Sequence, residues 1–249
     1  MPQFSDDLFL GAAQTYMGNN ANDNLNDPSA MDLGVGPLGR IYVWDIVPQA
    51  LVANNIATAQ TTSSAITLTA GTSVRSIVRN DGVTVLQLDV PRAVSIVSGT
   101  GTLTNRNVTI SGYDYYGQAM SEVIATGTVQ STTVKGKKAF YQIASATISG
   151  ALGATIAIGT TDILGLPVRV FNVAYIASVK SNNTLAQDAG TFVVADTAAA
   201  TTTTGDVRGT YVPATASDGS IRTVMGILLP AIAVGPNATR VGALGVTQA

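Results

Sequence analysis

The chain has no cysteine and no histidine, and its 249 residues include a single glutamate, Glu122. Each absence excludes something. Without cysteine there is no disulfide scaffold, no thiolate nucleophile and no thiolate zinc site. Without histidine, the usual general base near neutral pH and the commonest metal ligand are both missing. A serine nucleophile would have only a lysine, Lys135 or Lys180, to serve as its base. One glutamate and few lysines leave little with which to cover a solvated helix, so helix content is expected to be small. Charged residues make up 11% of the chain, against about 25% in ordinary soluble domains. The expectation is a structural or binding protein made of strands, not an enzyme, with no cofactor and no metal.

What is present fits that expectation. Hydrophobic residues reach 46%, enough for a packed core, and threonine fills about one position in eight. A surface this poor in charge points to cover by neighbouring copies, with Thr/Ser-rich solvated faces as the alternative. The net charge of −2 is uneven. Before position 50, Asp6, Asp7, Asp23, Asp27, Asp32 and Asp45 face only Arg40; this acidic segment suits a basic partner surface or a solvated tail. Lys135, Lys137 and Lys138 are the one basic cluster, and beside Gly136 they read as a hairpin turn, with no nucleic-acid footprint. The start, MPQFSDDLFLGAA, is acidic where a secretory signal would be basic. The longest apolar run, 223–234, is broken by Gly226 and Pro230 and is too short to span a bilayer. A soluble protein made in a cytoplasm, with no membrane partner, is expected.

Two regions differ along the chain. Residues 1–40 are rich in Asn, Asp and Gly, which opposes regular structure, yet carry spaced anchors: Phe4, Leu8, Phe9, Leu10, Tyr16, Met17, Met31 and Leu33. This is the composition of an extended arm that lies along another subunit. From Ile41 onward the text reads as strands: IYVWDIV, then AITLTAG, SVRSIVRN, VTVLQLDV, AVSIVSG, NVTISG, AMSEVIATG, KAFYQIASATISG, ATIAIG, PVRVFNVAYIASVK, GTFVVAD, DVRGTYV and IRTVMGILLP. Residues 50–65, an Ala/Asn/Thr/Ser stretch, read as a loop or short linker. Asn80-Asp81-Gly82 is the best hairpin signal, and Pro91 divides two strands. Such spacing is that of a β-sandwich or jelly roll. The body, 41–249, forms one unit or two dividing near 150–165.

No motif for chemistry survives inspection. Asp114 and Glu122 are the best carboxylate pair, but Asp114 is expected to cap a turn closed by Gly117. Asp196, Asp206 and Asp218 lack a calcium-loop spacing. Asp206 beside Arg208 suggests a local ion pair shaping a turn. GTSVRS and GTGTLT lack the context of a phosphate-binding loop. The acceptors at Asn107, Asn182 and Asn237 arise by chance in a Thr-rich chain.

The text ISGYDYYGQAMSEVIATGTV, followed by KGKKAFYQIASATISG and later by TTTTGDVRGTYVP and DGSIRTVMGI, resembles a recurring pattern of tailed-bacteriophage virion proteins. In it a Gly-x-Asp-x-x-Gly turn leads into a Met-Ser/Thr-Glu-x-Ile strand, and a Lys-Ala-Phe strand follows. The resemblance covers residues 105–225 and implies a capsid decoration (cement) protein. Such a protein sits on the virion's capsid surface, binds the outside of the major capsid protein lattice and stabilises the head. Oligomers are usually closed, so self-association as a homotrimer is the expectation. Expected contact residues are Phe4, Leu8, Phe9, Tyr16 and Met17 of the arm, with Tyr42 and Trp44 at its root, because large aromatics dominate interfaces. The protein's own core is the alternative place for Trp44. No nucleic acid, membrane or small-molecule substrate is implied. A tail, adaptor or fibre component is the alternative within the virion. A glycan-binding adhesin, with sugars on Tyr113, Tyr115 and Tyr116, is the alternative outside that class.

Overall fold

The computed structural model describes residues 8–10, 39–196, 199–230 and 248. These form an all-β, sandwich-like fold in which every strand pairing is antiparallel. The helical content of the described residues is one 3-10 turn, Val173–Tyr175. In chain order the strands are β1 Leu8–Leu10, β2 Gly39–Ile46, β3 Ala57–Gln60, β4 Ala65–Ile66, β5 Arg75–Val78, β6 Thr84–Ser98, β7 Asn107–Tyr113 and β8 Ala119–Ala125. They continue with β9 Thr133–Lys135, β10 Phe140–Ile148, β11 Ile156–Gly165, β12 Ile176–Ser181, β13 Thr191–Val194, β14 Gly209–Val212 and β15 Thr223–Pro230. An 11-stranded sheet follows the path β13-β14-β11-β6-β10-β7-β8, with β3 on β11, β4 on β10, and β5 and β9 on β6. A 4-stranded sheet has the order β1-β2-β15-β12.

β6 organises the large sheet. Residues 84–87 pair with β5 and β10 at one end, and residues 94–98 pair with β11 and β9 at the other. The two strands expected on either side of Pro91 are therefore one bent strand. Proline cannot donate to a ladder, and Pro91 falls in the gap between the registers Gln87↔Gln142 and Arg92↔Phe140, where β6 changes partners. The missing donor costs nothing there, and the bend lets the sheet turn a corner.

The Lys135–Lys138 stretch also differs from expectation. Both β9 and β10 run along the same edge of β6, with Ser95 opposite Lys135 and Arg92 opposite Phe140. The Gly136 N–H donates to Val94 O at 2.9 Å, holding the chain to that edge. The segment is thus a bulge between two collinear strands, not a hairpin turn. The hairpin at 80–82 does form. Arg79 N–H donates to Val83 O and Gly82 N–H to Arg79 O, each at 2.9 Å, with Gly82 at φ +83° in the left-handed region glycine favours.

Residues 50–65, read as a loop, contain β3 and the fully buried Ile56. Their Thr/Gln/Ala text hides a strand because its polar side chains do bonding work at a sheet flank. Gln60 Nε2 donates to Thr67 O at 2.8 Å, and Thr67 N–H donates to Gln60 Oε1 at 2.9 Å. With β3 on β11 and β4 on β10, this stitch curls the two flanks of the sheet together.

Two apolar clusters result. The first is aliphatic and fills the curl, with Ile56, Leu88, Ile96, Ile110, Phe140, Ile143 and Ile158 at its centre. The second, with Trp44, Leu164, Val168, Val179, Tyr211, Met225 and Ile227, lies where the small sheet packs on the β11-β14-β13 flank. Each fully buried large aliphatic contributes about 1.5–3 kcal/mol. β11 serves both, giving Ile156 and Ile158 to the first and Leu164 to the second; the 150–165 boundary considered from the sequence coincides with this strand. Between β7 and β10 the approach is close. A Cβ on Gly112 would lie 2.0 Å from Gln142 O, so no larger residue fits without moving a strand.

Candidate functional site

Three stretches of the resemblance pattern, far apart in the chain, meet in a buried charged seam. The turn between β7 and β8 builds its first member. Asp114 N–H donates to Gln118 O at 3.0 Å, and Gly117 N–H donates to Asp114 O at 3.1 Å. Asp114 Oδ1 accepts the N–H groups of Tyr116 and Gln118 at 2.8 and 2.9 Å. The expected turn cap is therefore in place. Its other oxygen, Oδ2, accepts Arg208 Nη1 at 2.7 Å in a buried ion pair. Arg208 also lies over the Tyr116 ring at 4.8 Å, and Gln248 Nε2 approaches Asp114 Oδ2 at 3.4 Å.

The expected ion pair between Asp206 and Arg208 does not form. Asp206 Oδ1 accepts the backbone N–H groups of Arg208 and Gly209 at 2.8 and 3.2 Å, and Oδ2 accepts Ala139 N–H at 2.9 Å. A carboxylate at the head of a tight turn meets the N–H groups two and three residues on before it meets a long side chain. The guanidinium is left to reach across to Asp114. Glu122 is engaged in the same way. Its Oε1 accepts Lys137 N–H at 2.6 Å and its Oε2 accepts Lys138 N–H at 3.3 Å. The carboxylates of Asp114 and Glu122 are thus held separately, each by its own set of donors. Burial pushes the carboxyls of Glu122 and Asp206 above their ordinary range, against the opposing pull of those backbone donors.

Lys138 completes the seam. The residue is 0% exposed, and its Nζ has no hydrogen-bond partner. Burial lowers its amine below the ordinary lysine range. A second buried cation stands at the bend of β6. Arg92 donates to Gln49 O at 3.2 Å and pairs with Asp89 at 2.6 Å, and burial lowers its guanidinium.

The surface carries a separate aromatic patch. Tyr115 is 50% exposed and meets Tyr116 and Tyr141 edge-on, with ring centroids 5.2 and 5.3 Å apart. Arg79 lies 3.5 Å over the Tyr113 ring and donates to Gln142 Oε1 at 2.5 Å. Tyr116 OH donates to Pro167 O at 2.6 Å, and burial pushes that phenol up to about 12.

The expected contact residues fall in three places. Phe4, Tyr16 and Met17 lie outside the described residues, as does most of the 1–40 arm. Leu8 and Phe9 stand in β1, which adds to the edge of the small sheet with Leu8 opposite Ile41 and Phe9 opposite Arg40. Tyr42 is half-buried against the second cluster, and Trp44 is buried within it, in the core of its own chain. The residues of β2 that alternate with these face outward: Val43 is 60% exposed, and Asp45 pairs with Arg222 at 2.5 Å.

The remaining candidates do not assemble. Asp218 Oδ1 caps its own turn through Ser220 and Ile221 N–H, and Asp196 Oδ2 accepts Gly205 N–H. Among the described residues no group of three or more His, Cys, Asp or Glu could hold a metal. Lys180 Nζ donates to Leu185 O at 2.6 Å. No helix among the described residues is long and apolar enough to cross a membrane.

Besides the turn at Asp114, the sequence carries a second signal for the seam. In AMSEVIA the period of two places Glu122 on the same face as Met120 and Ile124, and β8 buries that face. Lys138 gave no such signal, since it sits in a bulge outside any period. No family model, curated protein or solved structure matches this chain.

Proposed function

We propose that this chain is a virion structural protein, a capsid decoration (cement) protein of a tailed bacteriophage. It binds the outside of the major capsid protein lattice, self-associates as a homotrimer and stabilises the head. The observation that carries the reading is the inverted placement of charge. The chain has 13 basic and 15 acidic residues, and among the described residues seven are buried: Arg92, Asp114, Glu122, Lys138, Asp162, Asp206 and Arg208. Meanwhile Val43, Val78, Leu185 and Val193 stand exposed. Charged residues are seldom buried, and an outside so poor in charge suits a protein that is covered when it works. Binding across several coat subunits would stabilise the assembled lattice by mass action. β1, which ties part of the acidic arm to the small sheet, supports the arm and the outward face of β2 as the contact region.

Capsids prepared without this protein are expected to burst at a lower temperature than decorated ones, and equal thermal stability would overturn the reading. Deleting residues 1–40 is expected to empty the capsid sites. Hundreds of copies per particle support decoration, whereas a dozen or fewer favour a tail, adaptor or fibre part. The adhesin reading rests on a different observation, the exposed Tyr115 beside Tyr116, Tyr141 and Tyr113. Binding to a glycan array that Tyr115→Ala abolishes would favour it.

A further inference from the structure

The seam holds an amine and two carboxyl groups away from water, with the amine unpartnered. Glu122, Lys138 and Asp206 are all buried, and Lys138 Nζ donates to nothing. The acidic charges that bear on that amine are Glu122 first, then Asp206 and Asp196. Glu122 and Asp206 also grip consecutive backbone N–H groups on either side of it, those of Lys138 and Ala139. The segments that lead into β10 and β14, two strands that do not pair, are thereby brought together at one point.

We propose that Lys138 Nζ and Asp206 Cγ condense to an intramolecular isopeptide bond, with Glu122 relaying the proton. This inference is independent of the virion reading. The chemistry needs a neutral amine facing a protonated carboxyl, since an ammonium has no lone pair and a carboxylate is a poor electrophile. Burial drives both groups that way, lowering the amine of Lys138 and raising the carboxyl of Asp206. Nζ pairs with neither carboxylate in this conformer, so the reaction begins with a swing of the lysine side chain inside the cluster. The nitrogen lone pair then attacks Cγ. The oxygen that gains charge is Oδ1, which already accepts two backbone N–H groups, from Arg208 at 2.8 Å and Gly209 at 3.2 Å. That is the arrangement of an oxyanion hole. Glu122 takes one amine proton and returns it to the departing hydroxyl at Oδ2. The C–N bond forms, the C–O bond breaks, and one water leaves, so atoms and charge balance with no oxidant or co-reactant. The raised carboxyl of Glu122 makes it a stronger base than an exposed glutamate.

The test is the intact mass of the full chain. Expected is a mass lighter than the sequence by one water, and a tryptic digest containing a branched peptide that joins the Lys138 segment to the Asp206 segment. Full sequence mass overturns the proposal. Aspartyl succinimides at Asp81-Gly82 or Asp218-Gly219 would also lose water, so Lys138→Met is the control. It is expected to restore full mass, and a water deficit that persists in it overturns the assignment. Glu122→Gln keeps an oxygen for Lys137 N–H and is expected to leave most chains unlinked; full linkage in that variant overturns the relay.

Discussion

The charged seam and the outer face of the small sheet are opposites. The seam buries Asp114, Glu122, Lys138, Asp206 and Arg208 where a typical core would hold aliphatics, while the outer face exposes Val43 where a typical surface would hold charge. Buried charges are a poor source of raw stability, because desolvation offsets their attraction. They are a good source of uniqueness, since a misplaced partner leaves an uncompensated charge inside. Val43, which shares the outer face with the Asp45–Arg222 pair, has the reverse character, adding nothing to the isolated subunit. The difference teaches that this chain uses charge to define its interior and leaves large apolar side chains such as Val43 on its exterior.

The comparison breaks most sharply at Asp114. Asp114→Ala strips the turn of its cap and leaves Arg208 buried without its partner, a loss expected at about 3–5 kcal/mol. Arg208→Met should cost less, because Asp114 keeps two backbone donors. Denaturant midpoints of the two variants measure the order, and the reverse order would mean that the guanidinium, not the turn, organises the seam.

The aliphatic core sets the next scale. Ile158→Val, which removes one methylene from the fully buried centre of the first cluster, is expected to cost about 0.5–1.5 kcal/mol. A shift as large as that of Asp114→Ala would erase the distinction between seam and core.

Acid sensitivity separates the two regions by sign. Glu122 and Asp206 have carboxyls raised by burial, so their contribution is fully present below the ordinary carboxylate range and is lost as pH rises through the raised value. Asp45, lowered by its bond to Arg222, and Asp81 and Asp218, lowered by backbone donors, contribute above that range and lose it as pH falls. In a Lys138→Met background, where no amine can charge or link, adding Glu122→Gln should flatten the fall in stability as pH rises above the ordinary carboxylate range. An unchanged slope would show that Glu122 does not titrate there.

The smallest effects belong to the exterior. Arg222→Ala removes an exposed pair with Asp45 and should leave the unfolding midpoint of the subunit unmoved. Val43→Lys should do the same to the subunit and, on the proposed decoration function, weaken its attachment to capsids.

Much of the fold was legible because hydrophobic alternation and turn chemistry are local. The hairpin at 80–82, the turn at Asp114 and the strands around Met120, Phe140 and Met225 all follow from text a few residues long. The errors have a common cause. A proline normally interrupts a ladder, and the partner change that makes Pro91 harmless is decided by strands far away in sequence. Residues 57–60 looked like loop because Gln60 finds its acceptor on Thr67, outside any period. The link from Arg208 to Asp114 spans 94 residues, and nothing local to either one specifies it. Of the seam, Asp114 could be read through its turn and Glu122 through its place between Met120 and Ile124.

The pairing of β2 with β15 has a consequence in time. Asp45 and Arg222 stand 177 residues apart, and Trp44 cannot enter its cluster until Met225 and Ile227 exist. At ribosomal rates of about 5–20 residues per second, β2 waits on the order of ten to thirty seconds for its partner. Throughout that interval the edge of β2 that β15 later covers stands open, with Tyr42, Trp44 and Ile46 lacking their cluster partners.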